Sequence, residues 1–201
     1  MRITVKIGII TAFAWIGIKM IFHYFSTIDT IEDIVPIALL NILGLLLAIA
    51  IGLFIQKMRD TEGTNALLDI KNAMTAGIPY VIIVSVFIYV YYNNINPEFY
   101  KHQIAEKNIA VQKMVNNPKQ LALYKKNNPE TEVMTNEQII KRESDNENIN
   151  PAKTQAILTL LALTVLSTIY SLLVTMIFRR ILFKRLNQSN QPLDNSSPSA
   201  S

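Results

Sequence analysis

Four polar side chains interrupt long apolar stretches: Lys19 in Ile7–Phe25, Asn41 in Ile34–Ile55, Ser85 in Ala73–Tyr92 and Thr164 in Ala156–Phe178. Each stretch has about the ~20 residues a helix needs to cross ~30 Å of hydrocarbon. At ~1.5 Å per residue, Lys19 lies ~9 Å below the outer end of its stretch and Asn41 ~10 Å below that of its own. The two are expected to meet in one polar layer, with Ser85 and Thr164 nearby. An ionisable group at that depth is by default a functional candidate, for instance lining a solute path. The simpler reading is that Lys19 reaches back to the outer headgroups on its four-carbon stem, or pairs with Asp29 or Asp33.

Other chemistry finds little support. There is no Gly-rich phosphate loop, no His-Glu-x-x-His and no Gly-x-Ser-x-Gly. The two histidines, His23 and His102, are too few for a His-based zinc site. Cysteine is absent, which removes disulfides, thiolate catalysis and cysteine-bound metals. No carboxylate falls within the four stretches, which argues against a proton relay. The sequence therefore assigns no catalytic, cofactor-binding or metal residue, and a non-enzyme is expected. The net charge of +4 is spread by membrane side rather than gathered in a patch, so nucleic acid is not an expected partner; the lipid bilayer is.

The elements that must position these groups are helical throughout. The expected fold is all-α: a four-helix transmembrane bundle with a helical extracytoplasmic loop between spans 3 and 4. Residues 1–186 form the four-span domain, with spans at about 7–25, 34–55, 73–92 and 156–178 and a loop at 93–155. Residues 187–201, rich in Asn, Ser, Gln and Pro, read as a disordered tail. Arg2, Lys6 and Ala12-Phe13-Ala14 imitate a signal peptide, but cleavage there leaves too short an apolar core, so the first span is read as retained.

Basic residues near the span ends set orientation. Arg2, Lys6, Lys57, Arg59, Lys71 and Arg179 to Arg185 fall on one side, and Asp29, Glu32 and Asp33 on the other. Both termini are thus expected in the cytosol. The long loop translocates largely regardless of its charges. Tyr89, Tyr91 and Tyr92, like Phe22, Tyr24 and Phe25, suit a headgroup belt, whereas Trp15 suits packing between helices.

Small and polar residues fall into stripes expected to face the bundle interior. The first span offers Gly8, Ala12, Trp15, Lys19 and His23; the second offers Asn41, Gly44, Ala48, Gly52 and Gln56; the fourth offers Thr164, Thr168, Ser171 and Thr175. The Gly44-x-x-x-Ala48-x-x-x-Gly52 repeat is the clearest helix-packing stripe. Pro79 is placed where it would kink the third span.

Each loop proline follows an asparagine, at Asn96-Pro97, Asn117-Pro118, Asn128-Pro129 and Asn150-Pro151. Asn is a favoured N-cap, and Pro loses nothing at the first helical position. The pattern predicts helices over Pro97–Asn116 and Lys119–Lys126, and a fourth span launched at Pro151. Thr135-x-x-Gln138 matches a capping box and predicts a helix over Glu137–Glu147. The loop's apolar residues are few, so it is expected to lean on itself, on the membrane face or on a partner.

The run Tyr89-Val90-Tyr91-Tyr92 to Ile95-Asn96-Pro97-Glu98-Phe99, the stretch Met134-Thr135-Asn136-Glu137-Gln138-Ile139 and the basic end of the fourth span resemble a bacterial family of four-span membrane proteins. That family is known only as a domain of unknown function. The resemblance extends from about Lys6 to Arg185 and implies a bacterial cytoplasmic (inner) membrane and four helices, with no activity to carry over. The expected function is a non-enzymatic envelope protein that contacts an envelope protein partner through residues 97–147. The alternative is a small solute or ion transporter or channel, a homo-oligomer because four helices leave little room for a pore.

Overall fold

The computed structural model describes residues 2–25, 31–59, 65–145 and 150–183. Seven helices occur among them: α1 (Ile3–Phe25), α2 (Ile31–Arg59), α3 (Ala66–Val90), α4 (Glu98–Val115), α5 (Pro118–Asn127), α6 (Asn136–Asp145) and α7 (Pro151–Ile177). Wider π-helical turns follow α3 at Tyr91–Ile95 and α7 at Phe178–Phe183. No strand occurs among the described residues. The tail 187–201 and the side chains of Asp29, Glu32 and Asp33 lie outside them.

Four segments, Ile3–Phe25, Val35–Arg59, Ala66–Ile95 and Pro151–Arg180, are long and apolar enough to cross a membrane. Hydrocarbon offers backbone N–H and C=O groups no partner, so helix is the only open-ended solution for such sequences. The third helix outruns its hydropathy limit because its start is capped. Asn65 accepts from Leu67 N through its side chain and from Leu68 and Asp69 N through its carbonyl, at 3.0–3.4 Å. The third helix therefore starts at Ala66 rather than at 73, and Asp69 joins its first turn, where an acid suits the positive helix end. α3 runs on through Pro79 as one helix.

Between α3 and α7 the capping signals act locally. The Asn117 side chain accepts from Lys119 and Gln120 N at the start of α5. Asn150 Oδ1 accepts from Lys153 N at 3.2 Å at the start of α7. Thr135 and Gln138 cap each other, at 2.9 and 3.3 Å, at the start of α6. Asn96 and Asn128 play other parts: Asn96 N donates to Tyr91 O at 2.7 Å, closing the π turn, and Asn128 precedes a 3-10 turn at Pro129–Thr131.

The chain divides into two compact units, Met1–Trp15 with Leu40–Val81 and Leu163–Ser201, and Ile16–Leu39 with Ile82–Ala162. The first buries Ala12, Trp15, Leu45, Ala48, Ile49, Ala73, Ala76 and Tyr80. The second buries Ile37, Val84, Ile88, Tyr91, Tyr92 and Phe99, together with Val115 and Ile139 of α4 and α6.

Candidate functional site

In the second unit, Lys19 of α1 is 4% exposed. Its Nζ lies 3.4 Å from Tyr92 Oη, 4.2 Å from the centre of the Tyr91 ring and 4.7 Å from that of Tyr92. A buried ammonium is costly unless electron-rich groups replace its water, and two aromatic faces do part of that work. The π turn makes the arrangement possible. Widening the helix at Tyr91 lets two consecutive tyrosines turn inward, which regular α geometry would splay apart.

The tyrosines are themselves held. Tyr91 Oη and His23 Nδ1 share a 3.0 Å hydrogen bond, and the two rings meet edge to face. Tyr92 packs on Phe99 and Tyr100 of α4, with ring centres 5.3 and 5.0 Å away. Burial pushes the Tyr100 phenol up to about 12. Tyr91 and Tyr92, expected in a headgroup belt, are buried in the protein, with their rings turned to the Lys19 ammonium and, for Tyr92, to the start of α4. Tyr24 and Tyr89 remain exposed.

In the first unit, Asn41 of α2 meets Tyr80 of α3. The fully buried Tyr80 hydroxyl lies 2.8 Å from Asn41 Oδ1 and 2.9 Å from its backbone O. Lys19 and Asn41 belong to different units, and each finds a tyrosine there. Tyr80→Phe is expected to lower stability by about 1 kcal/mol, because it leaves a buried amide short of a donor. Unfolding in a fixed detergent would measure it, and an unchanged transition would refute it.

The glycine stripe packs on α3. A Cβ on Gly44 would lie 2.6 Å from Tyr80 Oη, and one on Gly52 2.7 Å from the Ala76 Cβ. Ala48 between them is fully buried. On α1, Gly8, Ala12, Trp15 and Lys19 are all buried and His23 is half-buried. The stripe on α7 needs correction: Thr164 and Thr168 are exposed. The buried line runs Leu163, Ser167, Ser171, Val174 and Thr175, so Ser171 and Thr175 lie on it as expected, while Thr164 and Thr168 sit one position off it. Ser167 Oγ fills the gap left by Gly77 of α3.

One group escaped the sequence reading. Asp69, 1% exposed, binds Lys57 Nζ of α2 at 3.4 Å through one carboxylate oxygen and Arg179 at 3.0 Å through the other. Ser85, placed in the polar layer by sequence, is buried, and its Oγ has no hydrogen-bond partner among the described residues. No group of three or more His, Asp or Glu side chains suited to a metal ion occurs among the described residues.

Long apolar helices cross-linked by a few buried polar contacts make this a multi-pass helical membrane protein. More particularly, the chain belongs to the DUF4199 family, described as a protein of unknown function, which it matches over residues 6–180. No curated protein and no solved structure matches it.

Proposed function

We propose that the chain is a non-enzymatic anchoring and interaction protein of a bacterial cytoplasmic membrane. Both termini face the cytosol, and α4–α6 form the working surface outside. The observation that carries this reading is that α4–α6 make a small helical assembly with polar contacts of its own. α4 packs against α5 and α6, burying Val115, Thr131 and Ile139. Lys107 pairs with Glu143 at 3.5 Å and Arg142 with Glu130 at 2.9 Å. Tyr124 Oη donates to Glu143 at 2.8 Å, and Lys125 donates to the Glu132 and Met134 carbonyls. Desolvation first, then the Glu143 carboxylate, raises the Tyr124 phenol; a backbone hydrogen bond first, then Arg142, holds the Glu130 carboxyl down.

This assembly leaves Ile109, Leu123 and Val133 exposed, Val133 at 91%. Apolar side chains presented on a polar helical scaffold suit contact with another envelope protein. A photo-crosslinking residue placed at Leu123 or Val133 in intact cells is expected to capture one specific partner, and Leu123→Glu with Val133→Glu at the complementary site to abolish the adduct. Failure to capture any protein, or an adduct indifferent to both substitutions, would overturn the proposal.

A second reading, a small solute or ion transporter working as an oligomer, draws on the buried Lys19 ammonium. It requires flux through reconstituted protein that Lys19→Met abolishes.

A further inference from the structure

The third span does not pass smoothly into α4. The π turn Tyr91–Ile95 ends at Asn96, whose φ of −129° and ψ of 64° leave the helical conformation. Pro97 follows, and it has no N–H with which to extend the ladder. The attitude of α4 on the span is therefore left to side chains rather than to a continuous run of backbone hydrogen bonds. A cleft of about 430 Å³, lined by Tyr92, Asn93, Pro97, Tyr100 and Pro151, opens between the joint and the start of α7. Close packing does not fix α4 on that side.

Tyr92 bridges the joint. Buried on the span side, it packs on Phe99 and Tyr100 in the first turn of α4. The centre of the same ring lies 4.7 Å from Lys19 Nζ, and its hydroxyl 3.4 Å. Lys19 Nζ also faces the Tyr91 ring at 4.2 Å, and Tyr91 is tied in turn to His23, one helical turn further along α1. A buried cation held against aromatic rings attracts them more strongly than an exposed one does. An uncharged side chain of the same length would fill the space without that pull.

We infer that Lys19 is the bolt of a latch that holds the α4–α6 assembly in one attitude on the adjoining ends of α1 and α3. The latch has two states. In the latched state the ammonium draws the Tyr92 ring to α1, and Phe99 and Tyr100 follow it. In the free state Tyr92 leaves Lys19 and α4 swings about Asn96-Pro97 into the cleft. It carries α5 and α6 along, because it packs against both. Lys19 thus acts through Tyr92 as a positioning residue. That role needs no solute path, and it does not depend on what α4–α6 bind.

Distances between paired spin labels on the full chain in lipid nanodiscs test this, and the lack of cysteine lets labels be placed one pair at a time. One pair, Tyr24→Cys with Lys113→Cys, spans the joint. The other, Lys113→Cys with Lys141→Cys, lies within the assembly, and all three positions are exposed. The joint pair is expected to show one narrow distance when Lys19 and Tyr92 are intact. Lys19→Met should shift the ratio of latched to free protein about tenfold, the effect of one desolvated cation–ring contact, and so add a second, broad population. Lys19→Arg keeps the cation and should keep the narrow distance. Tyr92→Leu should act as Lys19→Met does, and the two together should do no more than either alone. The pair within the assembly should stay narrow throughout. A joint distance unmoved by Lys19→Met, moved equally by Lys19→Arg, or moved additively by the two substitutions would overturn the proposal. Broadening within the assembly would also overturn it, because α4–α6 would then be loosening rather than swinging.

Discussion

Replacing Lys57 and Arg179 together by methionine is expected to lower the stability of the folded protein by about 3 kcal/mol. Asp69 is 1% exposed and has a cation on each carboxylate oxygen, Lys57 at 3.4 Å and Arg179 at 3.0 Å. A buried carboxylate stripped of these cations keeps its desolvation cost and loses the attraction that offset it. Either single substitution should cost less, because one cation remains, and Arg179→Met should cost more than Lys57→Met because its contact is the shorter. The decisive variant is the triple one. Adding Asp69→Leu to the double substitution removes the orphaned charge and should restore most of the loss, since a buried ionic cluster can often be replaced by apolar groups without penalty. Thermal unfolding in one detergent reads all four variants against the wild type. A double variant that melts with the wild type, or a triple variant no better than the double, would show that the clamp does not hold α2, α3 and the end of α7 together.

How much of this was legible beforehand depends on which physical rule governs each residue. The four apolar helices were, because membrane thickness sets their length whatever surrounds them. So were the caps at Asn117, Asn150 and Thr135–Gln138, whose partners lie within three residues in the chain. The Gly8-Ala12-Trp15-Lys19 stripe was legible too, since α1 is a regular helix along that length. Asp69 was not. A window of hydropathy ends at the first charged residue, so an acid just outside it reads as loop, and its cations are 12 and 110 positions away. Tyr91 and Tyr92 were read only by their place at the end of the third span, which gives depth and not direction; the π turn is what points both rings towards Lys19. Thr164 failed because a wheel gives a direction without saying which direction a neighbour occupies.

Close approach between helices carries the second large effect. An alanine at Gly8 is expected to destabilise the protein by about 2 kcal/mol. A Cβ there would run into the backbone carbonyl of Ala76, a group that no side-chain rotation can move, so α1 and α3 would have to separate. That separation would also loosen the contact between Gly52 and Ala76 on the other flank of α3, because the same residue serves both neighbours. Gly17, on the same helix, provides the control. Nothing lies within 4 Å of the position its Cβ would take, so Gly17→Ala should gain the helix-propensity difference of up to about 1 kcal/mol. The two substitutions are chemically identical and nine residues apart on one helix, so lipid, detergent and unfolded-chain effects largely cancel between them. Opposite shifts in an unfolding transition are therefore the signature of helix contact at Gly8. Equal shifts would mean that α1 does not press against α3 there.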